Sequence, residues 1–111
     1  MGTVTINKQK IFEIIEDVLR EIAKNPPRIE DVQFRVILDR VDGFFEIKAI
    51  GWNSFGRVHG SIIHIDVIDD KVLIRHNGTE LEIKDILIEK GIPRELIILD
   101  FIHPKYQKYV E

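Results

Sequence analysis

His64 and Asp66 lie two residues apart in a β-branched run, and an antiparallel meander over residues 44–83 would bring Glu46, Arg75 and Glu80 into one row with His64. Imidazole and carboxylate groups in such a row suit general acid–base work or a divalent metal. The same residues suit a ladder of alternating charge on a solvated sheet face. The ladder is the stronger reading. Cross-strand ion pairs are common, and no third ligand converges cleanly on His64 and Asp66 as a metal would require. His59 and His76 read as surface or edge residues. Ser54 and Ser61 lack an evident base with an oriented partner. The sequence holds no Gly-rich phosphate loop, no G-x-S-x-G and no H-E-x-x-H. It contains no cysteine, which removes disulfides, thiolate catalysis and Cys-based zinc sites together. The residues therefore offer no catalytic set, no metal set and no cofactor. The rival reading is a small metal-dependent hydrolase or nuclease using His64, Asp66 and Glu46.

Composition bounds the problem further. A chain of 111 residues, 44% hydrophobic and 32% charged, suits one globular domain. The formal net charge is −3, so no global field draws it to nucleic acid or to an anionic membrane. No apolar run approaches the ~18 residues of a membrane span, and the start of the sequence has no signal-peptide pattern. A cytoplasmic protein is the expectation.

The row has to be built by strands, and their pattern is legible. Residues 58–76 form two β-branched runs broken at Asp69-Asp70, the mark of a tight hairpin. That turn sets Ile68 opposite Lys71, Val67 opposite Val72 and Ile65 opposite Ile74. Ile63, Ile65, Val67, Val72 and Ile74 then share a core face, with His64, Asp66, Leu73 and Arg75 on the other. Upstream, residues 32–39 alternate as a strand, 40–43 turn with Asp-Gly at the end, and 44–52 form the next strand. A four-residue loop sets Leu38 opposite Phe45, Val36 opposite Ile47 and Phe34 opposite Ala49. To share the core face with Ile63 and Ile65, this strand must pair Trp52 near Val58, with Gly60 an expected bulge or close approach.

A helix over about 8–24, capped by Asn7, carries Ile11, Ile14, Ile15, Val18, Leu19 and Ile22 on one stripe, with Glu16 and Arg20 as an i,i+4 pair. Asn25-Pro26-Pro27 ends it. After residue 76, Asn77-Gly78 signals a second hairpin and 79–83 a fifth strand, whereas Thr79-x-x-Glu82 also fits a capping box that would start a helix at once. Residues 84–90 form a short helix closed by Gly91, and Pro93 suits the first turn of another. The apolar stretch 97–102 must be buried. The expected fold is α+β: a long N-terminal helix packed on a five-stranded antiparallel meander sheet, with short C-terminal helices.

Two surfaces suit partners. Ile37, Phe44, Ile50, Ile62 and Leu73 share the polar face, which implies that it is partly covered by the C-terminal segment or another subunit. Trp52 beside a Gly-containing loop is a candidate platform, though such a residue is more often a strand-end residue over the core. A basic aromatic cluster, Arg94, Lys105 and Lys108 with Tyr106 and Tyr109, would be the footprint of a direct nucleic-acid-binding module, but three cations on an acidic chain make a weak one.

The ordered set Gly51-Trp52, Arg57-Val58-His59-Gly60, Ile63-His64-Ile65-Asp66, Asn77-Gly78-Thr79-Glu80, Gly91-Ile92-Pro93, Leu99-Asp100-Phe101 and His103-Pro104 with Tyr106 and Tyr109 resembles the XisI family, the fdxN element excision controlling factors of cyanobacteria. The likeness runs along nearly the whole chain. It departs at the end, where Lys105 follows Pro104 and family members often have a second proline. The resemblance implies a non-enzymatic accessory protein that controls DNA rearrangement with an XisH-type partner. It carries over no catalytic residue. Trp52, His103, Pro104, Tyr106 and Tyr109 become the candidate partner-binding residues, with DNA reached only indirectly and a homo-oligomer possible.

Overall fold

The structure is a computed structural model that describes residues 6–24, 31–102 and 105. The proline-ended helix stop and the tail residues His103, Pro104, Tyr106, Lys108 and Tyr109 lie outside the described residues. Helix α1 spans Lys8–Lys24 and buries Ile11, Phe12, Ile14, Ile15, Val18 and Leu19. Asn7 starts it, its Oδ1 accepting the Lys10 amide at 2.8 Å. The Glu16 carboxylate feels the charge of Arg20 as the spacing predicts, but its hydrogen bonds go elsewhere. It takes a bidentate grip on Arg40 at 2.6 and 2.7 Å, which ties α1 to the first strand turn.

Five strands follow: β1 (Val32–Asp39), β2 (Phe44–Asn53), β3 (Gly56–Ile68), β4 (Lys71–Asn77) and β5 (Ile97–Leu99). They form one sheet in that order. The β1–β2 register is the expected one, with Leu38 opposite Phe45 and Val36 opposite Ile47. Asp39 Oδ1 accepts the amides of Val41 and Asp42 in the connecting turn. Gly43 closes that turn at φ 69°, where a Cβ would collide with the Val67 carbonyl, so only glycine fits. The Asp69-Asp70 hairpin also has its expected pairs, with Asp69 in the left-handed region that Asp tolerates.

The fifth strand corrects the sequence reading. Residues 79–83 do not form a strand. Asn77 spends its side chain on a local turn: Oδ1 accepts the Thr79 amide and hydroxyl, and Nδ2 donates to the Leu81 carbonyl. Neither Asn77 nor Gly78 has the positive φ of a type I′ hairpin. The chain turns off the sheet into α2 (Ile83–Glu89), which lacks the Thr79–Glu82 capping box because the Thr79 hydroxyl bonds the Leu81 amide instead. Gly91, at φ 118°, ends α2. Gly91 donates to the Ile88 carbonyl and Ile92 to that of Leu87, which is a Schellman closure. After a 3-10 turn at Arg94–Leu96, the chain returns as β5, parallel to β4, with Val72 opposite Ile97 and Ile74 opposite Leu99. The sheet is therefore mixed, and of the apolar stretch expected to be buried only Ile97 is, with Ile98 and Leu99 half-buried in the edge strand and Phe101 beyond it 53% exposed.

Two bulges shift the register further. Phe45 faces Ile65 and Ile47 faces Ile63 as expected, but beyond them Lys48 faces Ser61 and Trp52 faces Arg57 rather than Val58. The extra residue is Ile62, not Gly60. The second bulge lies in β4, where His64 faces His76, Ile65 faces Ile74 and Arg75 is the extra residue. One sheet face, carrying Phe45, Ile47, Ile63, Ile65, Val67, Val72 and Ile74, packs with α1 and α2 into a single core cluster. The rows of interest lie on the opposite, outer face.

Candidate functional site

Because paired residues share a face, the register writes the outer face out row by row. Phe44 and Asp66 share one row, and Ile37, Glu46, His64 and His76 the next. Arg35, Lys48 and Ser61 follow, then Gln33, Ile50 and His59, then Trp52 and Arg57 at the hairpin end. All are exposed or half-buried except Glu46, which is 7% exposed.

Asp66 is the hub of the first rows. One carboxylate oxygen meets His64 Nε2 at 2.9 Å, and the other accepts from Arg75 Nε at 2.8 Å. Arg75 then donates through its terminal nitrogen to Asp100 at 2.5 Å. The bulge at Arg75 creates this chain by bringing the guanidinium between Asp66 and the end of β5. Hydrogen bonding, to Asp66 first and then Asp100, pushes the guanidinium further above its already high pKa. The His64 ring lies against Phe44, with centroids 4.6 Å apart.

Glu46 is opposite His64, yet its carboxylate makes no hydrogen bond or ion pair among the described residues. Glu80 is not in the row. It lies exposed in the bend after β4, because the strand meant to carry it does not form. Among the described residues no three His, Asp or Glu side chains are grouped to hold a metal ion. Asp100 is the member that sequence reasoning missed. The only signal for it was the need to bury residues 97–102, and that need does not specify a parallel pairing with β4.

Trp52 stands away from this network, 60% exposed at the end of β2, and Phe55 in the adjoining turn is 97% exposed. Beyond Ile63 the β3 strand has no β4 partner residue, while β1 stays paired with β2 as far as Gly51, so the β2–β3 hairpin is an arm that runs past both neighbouring strands only from Trp52 to Arg57.

Fold and face together define a small α+β domain with an ion-pair ladder on its outer sheet face and an aromatic-tipped hairpin arm. The chain belongs to the XisI family: the family's sequence pattern, described as XisI protein, matches residues 5–111. It is similar to the crystal structure of a XisI-like protein from Anabaena variabilis ATCC 29413, with 27% identity and a TM-score of 0.85 over 93% of this chain and 94% of that one. It is also similar to the fdxN element excision controlling factor XisI of the same organism, with 25% identity and a TM-score of 0.79 over 92% of this chain and 93% of that one. No curated protein matches it. Among the described residues, no helix is long and apolar enough to cross a membrane.

Proposed function

We propose that this protein is a non-enzymatic accessory factor that controls excision of a DNA element, as the name of its structural relative from Anabaena variabilis describes, and that it works through an XisH-type protein partner. The observation that carries this reading is the likeness to that controlling factor over 92% of this chain and 93% of the other. The side-chain geometry supports it. Both oxygens of Asp66 are already bound, by His64 and Arg75, and Arg75 is bound again by Asp100. A carboxylate so committed suits a ladder better than proton transfer. The cytoplasm, where a chromosomal element is accessible, is the compartment this role requires.

The partner docks on the hairpin arm and the C-terminal tail. Trp52 and Phe55 are the large exposed aromatics of the arm, and rigid aromatics are the usual anchors of an interface. Tyr106, Tyr109, His103 and Pro104 supply the tail's share. Capture of a co-expressed XisH-type protein by the tagged chain tests this. A stable complex, weakened by Trp52→Ala with Phe55→Ala, is expected. Failure of the two proteins to associate would remove the proposed route.

A further inference from the structure

The two edges of the sheet differ. Strand β5 is only three residues long, which blunts that edge. Strand β1 forms the other edge with eight residues, and among the described residues it pairs with β2 alone. It contains no proline or glycine, and its register with β2 runs without a bulge. Its outward row of amide and carbonyl groups is therefore a straight template for a further strand. The middle of the strand is apolar. Ile37 is 38% exposed on the outer face, and Val36 and Leu38 lie half-buried at the rim of the core. Arg35 and Asp39 flank Ile37 on that outer face with opposite charge. Neither makes an ion pair among the described residues, and β2 offers Arg35 only Lys48. Asp39 gives Oδ1 to the amides of its turn, which leaves Oδ2.

We infer that the β1 edge joins two copies of the chain: β1 of a second copy adds antiparallel to it, about a two-fold axis through Ile37. Outward-facing backbone groups meet, and the faces of the two sheets match, only where the paired residues have the same parity. A two-fold axis through Arg35 sets two guanidinium groups against each other. An axis through Val36 sets Arg35 against Ile37. The axis through Ile37 alone sets Arg35 opposite the second copy's Asp39, and does so twice. Val36 then meets the second copy's Leu38, which continues the core layer, and Ile37 meets its equivalent on the axis. The joined outer row reads Lys48, Arg35, then the second copy's Asp39 and Phe44. The like-charged pair of Arg35 and Lys48 thereby gains a carboxylate on its open side. The contact is isologous and closes at two. Any extended segment can use the same backbone groups, but the charge pattern of β1 is complementary to β1 itself.

Sedimentation equilibrium of the full chain across a concentration series tests this, and a dimer is expected. The chain has no cysteine, so single-cysteine variants read the register directly. Residue 37 sits opposite itself, at the ~4.5–5.5 Å Cα separation of an antiparallel pair, which a disulfide spans. The two copies of residue 33 stand ~26 Å apart along the strands. Mild oxidation is therefore expected to crosslink Ile37→Cys and not Gln33→Cys. Ile37→Lys puts two cations on the axis, and Arg35→Glu sets a carboxylate against Asp39. Each is expected to raise the dissociation constant about tenfold or more. Circular dichroism checks that the variants are folded, and if Ile37→Lys is not, Arg35→Glu, at an exposed position, carries the same expectation. A monomer across the whole series overturns the inference. So does a dimer that neither substitution weakens, or one that crosslinks at residue 33 as readily as at residue 37. A monomer whose complex with an XisH-type protein is lost in Ile37→Lys would assign the edge to that partner instead.

Discussion

Asp66 accepts from His64 and Arg75 at once, so removing it leaves the half-buried His64 without a partner and Arg75 with Asp100 alone, whereas removing His64 leaves Asp66 still paired with Arg75. Asp66→Ala is therefore expected to cost about 1–3 kcal/mol and His64→Ala about 1 kcal/mol or less in denaturant melts. The reverse order would mean that Asp66 is not the hub. A thermal shift of several degrees with zinc or manganese, absent in His64→Ala, would instead mark a metal site. Glu16 gives a pH test. The Arg40 hydrogen bond holds its carboxyl below the ordinary value of 4.5. A lowered value means stability that is complete above 4.5 and lost as pH falls through the folded-state value. Glu16→Gln should therefore melt below the parent at neutral pH and converge with it in acid. A gap that persists in acid would assign the effect to packing. His64 and Asp66 were legible together because they sit two apart on one strand. The Arg40 partner of Glu16 was not, because it lies 24 residues away across the core layer and no local spacing encodes it.

Ile65 is fully buried in the sheet layer that faces α1, and its register was legible in full from the alternation and the Asp69-Asp70 turn. Ile65→Ala is expected to cost about 2–5 kcal/mol by lost transfer and cavity formation. A loss under about 1 kcal/mol would contradict the register. Asn77 makes the complementary case. The Asn-Gly pair reads as a hairpin, yet the asparagine amide holds an irregular turn into α2, so Asn77→Ala should cost about 1–2 kcal/mol and leave β4 in place. Alternation in residues 79–83 was a false signal because Ile83 is buried from a helix, not a strand. The two bulges were equally invisible, since one extra residue leaves hydrophobic alternation intact on either side.

The whole molecule shows what a net charge conceals. A formal charge of −3 excludes a global field, yet the outer face gathers Arg35, Lys48 and Arg57 at one end. The sequence could not show this grouping, because strand pairing alone brings those positions together. Even so, those cations could neutralise only about three phosphates, beside the carboxylates of the same face. The family and the α+β class were legible because motifs along the whole chain carry them. The parallel fifth strand was not, because its partner is fixed by the return path through α2. The central claim is that DNA is reached through a protein partner. A mobility-shift titration of duplex DNA at physiological salt, with the pure protein alone and then with its XisH-type partner, tests it most directly. No shift by the protein alone is expected, and a shift that requires the partner. Tight, salt-sensitive retention of the duplex by the isolated protein would contradict it.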